Sequence, residues 1–323
     1  LQRINLSDKM QDKQLSLRWI MLFALIILIY SVTIRYAWIP IYSDNASYQW
    51  NDEILLTTND AYHYATSAKL AVDGQIHNNS QLISNSLFGE NGAIVASAWL
   101  ASKLTSFSME TITLYLPIIL PSLTGILVLL IGHLLGFSAM GLVAGLITVS
   151  SNIFLVRTRA GYFDTDLLTL IIPLVLIYLL LRVIKTNNFK NALVASLLLT
   201  TQTFFYNNAP LLSEVIIITF IVFTALLRRD NLSHLGSILI LLPAMISFDL
   251  PASIRIALIV GAYFLVSQHQ TEKDKLQKWT LLGIIAVLPL SNLGEKGWSK
   301  VSYFFNTADT TSSIGNLSFN YTS

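Results

Sequence analysis

Arg157-Thr158-Arg159-Ala160-Gly161-Tyr162-Phe163-Asp164-Thr165-Asp166 runs directly into the apolar stretch from Leu167 to Leu181. Ionisable groups at the edge of a run this apolar are costly where the run enters lipid, and they read as functional by default. Asp164 and Asp166, one residue apart, offer hard oxygen ligands of the kind that hold a divalent cation. Beside them, Arg157 and Arg159 suit the neighbourhood to an anionic, phosphorylated substrate. A purely structural reading also stands: Asp164 as an N-cap and Asp166 as a first-turn acid complementing the dipole of the following helix. The two are compatible, because a helix N-terminus can present carboxylates to an ion while its own amides are satisfied.

Composition decides the solvent. Hydrophobic residues make up 54% of the 323 and charged residues 12%, against about a quarter charged in soluble domains, so the apolar surface must face lipid. The chain reads as an all-α membrane protein. Nine runs are long and apolar enough to be candidate spans: 18–40, 112–135, 139–156, 166–184, 192–210, 211–227, 235–250, 252–267 and 279–293. The breaks at Tyr206-Asn207-Asn208-Ala209-Pro210 and Asp249-Leu250-Pro251 are the least defined. The first run is too long for a signal peptide and has no small-residue cleavage site, so it reads as an uncleaved span. The net charge of +2 is spread without a basic block, which gives no footprint for nucleic acid. Without cysteine these residues supply no disulfide, zinc thiolate or cysteine nucleophile.

Basic residues set the expected orientation. Arg3, Lys9, Lys13 and Arg18 precede the first run; Arg182, Lys185 and Lys190 follow the fourth; Arg228 and Arg229 follow the sixth; Lys273, Lys275 and Lys278 follow the eighth. A cytoplasmic N-terminus (1–17) puts all four clusters on the cytoplasmic side, as the positive-inside rule asks. The transmembrane domain is then 18–293, and the loop 41–111, the Asp164–Asp166 segment, Tyr206 and the stretch 294–323 lie on the opposite face.

A connection as long as 41–111 is expected to carry function. Its acids are Asp44, Asp52, Glu53, Asp60, Asp73, Glu90 and Glu110. Most read as solvated surface. Asp60 stands out as a capping-type acid opening an aromatic-rich helical start, Thr57-Thr58-Asn59-Asp60-Ala61-Tyr62-His63-Tyr64-Ala65, on the same expected face as Asp164 and Asp166. His63 and His77 have no partner at metal-ligand spacing and read as polar surface residues.

Taken together, Asn59-Asp60-Ala61-Tyr62, Arg157, Gly161-Tyr162-Phe163-Asp164-Thr165-Asp166, Phe205-Tyr206 and Tyr303-Phe304-Phe305-Asn306 resemble the catalytic half of bacterial single-subunit oligosaccharyltransferases, the PglB type. The resemblance covers essentially the whole chain. It implies a polytopic helical bundle of the GT-C type and transfer of a glycan from a polyprenyl-diphosphate-linked oligosaccharide to asparagine in Asn-x-Ser/Thr sequons of acceptor proteins. By the same likeness, Asp60, Asp164 and Asp166 organise Mg2+ or Mn2+, Arg157 supports the acids, Tyr206 contacts the lipid-linked donor and Asp60 also contacts the acceptor amide. The implied location is a bacterial inner membrane, multi-pass, with the active face periplasmic.

The chain departs from that family by ending at Asn320-Tyr321-Thr322-Ser323. The family's acceptor-binding glutamate, its Trp-Trp-Asp motif, a later arginine and the periplasmic C-terminal domain are not in these residues. The expectation is therefore a fragment, inactive alone, with 294–323 beginning a large external loop. Alternatives are another polyprenyl-linked GT-C sugar transferase, a cation-coupled transporter, for which Pro173, Pro210, Pro243, Pro251 and Pro289 are available to break helices, and a structural subunit in which the acids are only caps. Sequons start at Asn45, Asn78, Asn316 and Asn320, and chance occurrence is their default reading.

Overall fold

The computed structural model describes residues 15–51, 53–75, 89–246 and 250–308, the side chains at 300, 301 and 303–308 excepted. Arg3, Lys9, Lys13, Asp52, His77, Asp249 and the sequons at 78, 316 and 320 fall outside the described residues. In chain order the helices are α1 (Leu17–Tyr36), α2 (Trp38–Ser43), α3 (Asn59–Val72), α4 (Gly92–Leu104), α5 (Met109–Ile119), α6 (Ser122–Leu135), α7 (Ser138–Ser150), α8 (Asn152–Val156), α9 (Ile171–Thr186), α10 (Lys190–Leu199), α11 (Gln202–Phe205), α12 (Ala209–Leu227), α13 (Leu232–Leu241), α14 (Ala252–Gln268), α15 (Lys273–Val287) and α16 (Asn292–Ala308). A two-residue antiparallel hairpin, β1 (Gln49–Trp50) with β2 (Glu53–Ile54), sits in the loop after α2.

Among the described residues, four apolar helical stretches are long enough to cross a membrane: Leu17–Ser43, Met109–Leu135, Thr165–Thr186 and Ala209–Leu227. Lys273–Leu290 and Asn292–Ser299, bent by 57°, make a fifth if taken as one span. The expected count of nine is therefore not reached by length. The runs expected at 139–156, 192–210, 235–250 and 252–267 are helical but shorter, as Ser138–Ser150, Lys190–Leu199, Leu232–Met245 and Ala252–Gln268.

Local chemistry explains the shortening. The run at 139–156 breaks at Ser151, whose ψ of 133 leaves the helix. After α10, the hydroxyls of Thr200 and Thr201 bond the carbonyls of Leu197 and Leu198, offering the backbone an alternative to continuing. Pro243 and Pro289 sit in 3-10 turns, Leu242–Met245 and Leu288–Leu290, where a missing N–H costs least. Pro173 and Pro210 lie in the first turns of α9 and α12, and Pro251 caps α14. None of these five breaks a helix in its middle.

Glycines bring α6 and α7 together. The hairpin turns at Gly136 (φ +92), and a Cβ at Gly132 would fall 2.5 Å from Gly141 Cα, one at Gly145 2.7 Å from Gly125 O. Only hydrogens at these positions let the backbones touch, the small-residue contact that holds helices together in lipid. Ile27 of α1 packs against the same pair of levels, within 2.8 Å of a Cβ built at Gly125.

The bundle has two chemically distinct ends. At one, Lys185 donates to Leu134 O (2.7 Å), Asn231 to Asn187 Oδ1 (2.7 Å), Gln277 to Arg229 O (3.3 Å), and Lys273 pairs with Asp230 (2.9 Å). The segments carrying the basic clusters after the fourth, sixth and eighth runs thus meet there. At the other end lie the loops bearing the candidate acids, over a cluster of buried residues that includes Ala61, Tyr64, Ile94, Phe163 and Leu167. Buried Glu214 of α12 closes the break before α16: its Oε1 accepts from Asn292 N (3.0 Å) and Nδ2 (2.6 Å), and its Oε2 from Leu293 N (2.8 Å).

Candidate functional site

The loop before α3 and the segment 157–166 are far apart in sequence and joined in space. Thr57 N and Oγ1 both donate to Gly161 O, at 3.1 and 3.3 Å, and Gly161 N donates to Leu114 O at 3.1 Å. Gly161 has φ +74, a conformation open to glycine at little cost. This joint brings the start of α3, and with it Asp60, beside Asp164 and Asp166.

Asp60 is not the cap of its helix. Thr58 is: its backbone is extended (φ −144, ψ 156) and its hydroxyl accepts from Ala61 N at 3.1 Å. That corrects the capping reading of Asp60, and the reason is register, since Asp60 sits inside the first turn. It is exposed. Asp164 is a cap, but of the single 3-10 turn Thr165–Leu167 and not of α9. Its Oδ1 accepts from Thr165 N at 2.6 Å and meets Thr165 Oγ1 at 3.1 Å, and the residue is 8% exposed.

Asp166 lies against Arg157, with Oδ2 2.8 Å from Nε. The Nε–H points instead toward the Tyr162 hydroxyl at 3.4 Å, so Asp166 Oδ2 is a buried carboxylate oxygen near a charge but without a hydrogen bond. The Tyr162 hydroxyl, followed by the charge of Asp166, raises Arg157 above its ordinary value, so it is cationic at any working pH.

Tyr64 marks where the three carboxylates meet. Burial first, then the charges of Asp164, Asp60 and Asp166, push its phenol up to about 12. Asp60 and Asp164 also act electrostatically on Asp166. Tyr64 was missed by the sequence reasoning, although its spacing from Asp60, four positions along a helix, puts both on one face.

Tyr206 stands on a neighbouring loop. It follows α11 in extended conformation (φ −160, ψ 126), and its hydroxyl accepts from Asn208 Nδ2 at 3.4 Å. Phe204 and Phe205 pack on the cluster beneath the acids. Asn91 ties this loop to the start of α4, donating from N to Thr203 O and accepting at Oδ1 from Asn207 N, both at 2.9 Å. A cavity of about 330 Å³ borders α3 at Tyr62 and Lys69; none of the three aspartates lines it.

The donor set suits a hard divalent cation: three carboxylates within electrostatic reach of one another, one of them with a buried oxygen lacking a hydrogen bond. Among the described residues no three such side chains converge closely enough to enclose an ion unaided. Water or an anionic substrate would have to complete the coordination.

Residues 91–297 match the family model described as oligosaccharyl transferase STT3, N-terminal. The chain belongs to this family. The matched residues include Arg157, Asp164, Asp166 and Tyr206 and begin after Asp60. Among curated relatives, the undecaprenyl-diphosphooligosaccharide–protein glycotransferase of Campylobacter jejuni strain RM1221 is 30% identical over 224 residues, 68% of this chain and 31% of that protein. The protein of the same name from a second Campylobacter jejuni strain is 29% identical over the same length. The chain thus spans 31% of the length of these STT3-family relatives. Two solved structures from Archaeoglobus fulgidus share the fold: its oligosaccharyltransferase in complex with Zn and sulfate (TM-score 0.56, 14% identity, covering 89% of this chain and 39% of that one), and AglB with an inhibitory peptide and a dolichol-phosphate (TM-score 0.56, 13% identity, covering 91% and 37%).

Proposed function

We propose that this chain is the N-terminal membrane portion of an oligosaccharyltransferase that moves a glycan from a polyprenyl-diphosphate carrier to the side-chain nitrogen of asparagine in Asn-x-Ser/Thr sequons. The observation that carries the reading is the joint at Gly161, which gathers Asp60, Asp164 and Asp166 around Tyr64, with Arg157 against Asp166, in a chain of the STT3 family. On this reading residues 18–293 form the membrane domain, with nine crossings if the shorter helices also traverse. The loop 41–111 and the residues from 294 onward face the periplasm of a bacterial inner membrane.

The chemistry asks for these residue types. In transfer, the amide nitrogen forms a bond to the anomeric carbon and gives up a proton to solvent, while the carbon–oxygen bond to the diphosphate breaks and that oxygen keeps the electron pair. An amide nitrogen is a poor nucleophile because its lone pair is delocalised into the carbonyl. Asp60, exposed in the first turn of α3, would accept from the amide N–H bonds and hold the group in a reactive orientation. Asp60, Asp164 and Asp166 would hold Mg2+ or Mn2+, which when bound neutralises charge developing on the leaving diphosphate. Arg157, cationic and against Asp166, offsets the mutual repulsion of the three carboxylates. Tyr206 is the residue we assign to the donor.

The test is Asp164→Ala in the full-length protein. Transfer to a sequon peptide should fall at least about a hundredfold, the usual scale for losing one electrostatic contact in a transition state. Manganese binding to donor-free protein should weaken, and membrane insertion should be unchanged. Near-wild-type turnover at saturating magnesium or manganese would leave Asp164 as a cap and nothing more.

A further inference from the structure

We infer that Arg159, with the hydroxyl of Tyr42 and the ring of Trp38, forms a binding site for the phosphate ester of a lipid at the rim of the first span. The inference goes beyond glycan transfer and does not depend on it. Two arginines stand two residues apart in the same loop, and the fold treats them differently. Arg157 is occupied by Asp166 and Tyr162. Arg159 turns the other way: its guanidinium carbon lies 4.9 Å over the Trp38 ring, its Nε is buried without a hydrogen-bond partner, and among the described residues no carboxylate pairs with it.

Tyr42 supplies the second unmet group. It is 2% exposed, its hydroxyl has no hydrogen-bond partner, and it lies within electrostatic reach of Arg159. Trp38 at 6.0 Å and Tyr48 at 5.1 Å hold its ring. A buried donor left without an acceptor is costly, and more so when the group is charged. An anion with several oxygens satisfies the guanidinium and the phenol at once, and phosphate is the partner whose geometry a guanidinium fork matches.

A third arginine shows that the orphaned donor is not a general habit of this fold. Arg35, fully buried in α1 and also without a carboxylate, has all its nitrogens bonded: Nε to Thr158 O and Oγ1 (3.1 and 3.0 Å), Nη1 to Ser31 Oγ (2.9 Å), Nη2 to Val149 O (3.0 Å) and Thr158 Oγ1 (2.7 Å). Place then decides the class of anion. Trp38 and Tyr42 are in α2, at the end of the first apolar stretch, flanked by half-exposed Tyr36 and Ile41. Aromatic residues at the end of a span mark the headgroup level of a bilayer, where lipid phosphates lie.

The same chemistry is offered by an anionic phospholipid and by a polyprenyl diphosphate, and the experiment separates them. The intact protein, delipidated in detergent, is titrated with phosphatidylglycerol and, separately, with glycan-free polyprenyl diphosphate, and bound lipid is counted by native mass spectrometry. Arg159→Gln should weaken binding at least about tenfold, the worth of one hydrogen bond to a charged group. Tyr42→Phe should weaken it less, and Arg159→Lys should recover part of it. A loss confined to phosphatidylglycerol assigns the site to membrane lipid, and one confined to the diphosphate assigns it to the donor. Unchanged binding of both by a normally melting Arg159→Gln protein overturns the inference. Should that variant not fold, unchanged binding of both by Tyr42→Phe and Arg159→Lys overturns it equally. No transfer is measured, so the outcome is independent of whether the transferase reading holds.

Discussion

Replacing Gly161 tests the joint that gathers the acids. Its φ of +74 lies in the left-handed region, yet the nearest atoms a Cβ there would meet, Leu114 Cδ1, Leu55 O and Thr57 Cγ2, are each at 3.5 Å. Those are ordinary contacts, so crowding contributes little and backbone conformation is nearly the whole cost. For alanine that cost is about 1–2 kcal/mol. Asparagine, whose short polar side chain tolerates this conformation, should lose a fraction of that, and β-branched valine more. The strain is relieved by opening the joint, because a relaxed φ carries the Gly161 carbonyl away from Thr57. Hydrogen exchange at the Thr57 amide, which donates to that carbonyl at 3.1 Å, reads the opening directly. Gly161→Ala should exchange about 5–30 times faster than wild type, Gly161→Asn at most a few times faster, and Gly161→Val fastest of the three. Exchange unchanged in the alanine variant, or asparagine as damaging as alanine, would refute the argument that conformation at Gly161 holds the site together.

Asp60→Asn keeps shape and removes one charge. In the full-length enzyme with metal in excess it should cut turnover on the order of a hundredfold while shifting acceptor-peptide affinity only a few-fold. Exposed Asp73→Asn, at the other end of α3, should be nearly neutral, and equal small effects at both positions would remove Asp60 from the site. Glu214→Ala strips the acceptor from three N–H groups at the start of α16, at about 2–3 kcal/mol. Limited proteolysis should then cut faster near 292–299, and equal cutting rates would mean the carboxylate holds nothing. Tyr64 has a folded pKa of about 12, above that of an ordinary phenol near 10. The stability it contributes is therefore fully present below about pH 10 and lost as pH rises through about 12. The wild-type melting temperature should fall relative to that of Tyr64→Phe over that window, and a constant offset across it would contradict the assignment.

Much of the site was legible before any coordinates. An Asp-x-Asp pair at the head of an apolar run is visible because hydropathy and charge are properties of neighbours in sequence. The cap reading of Asp164 was half right: it caps, but only a single 3-10 turn. Asp60 stands out in the sequence as the notable acid of its loop, and its reading as a cap is wrong, because one residue of register moves that role to Thr58. Tyr64 shares a helix face with Asp60, but that spacing alone does not single it out; its place between the acids also rests on Asp164 and Asp166, about 100 residues on. Length alone supports fewer spans than nine among the described residues, because polar residues and prolines end some helices early, which a hydropathy window averages away.

The sequence by itself determined the solvent and the helical class, because each follows from composition or from period along the chain. The likeness of its motifs to oligosaccharyltransferases was also in the sequence, and the STT3 match bears it out. Tertiary structure alone decided that Thr57 and Gly161, 104 positions apart, share hydrogen bonds and so bring Asp60 to Asp164. It alone decided that Arg157 faces the acids while Arg159 faces Trp38. The physical reason is that the segment between these residues is neither helix nor strand. Without a repeating dihedral there is no period from which to read where a side chain points, and only the packing of the loop against α1, α2 and α5 settles it.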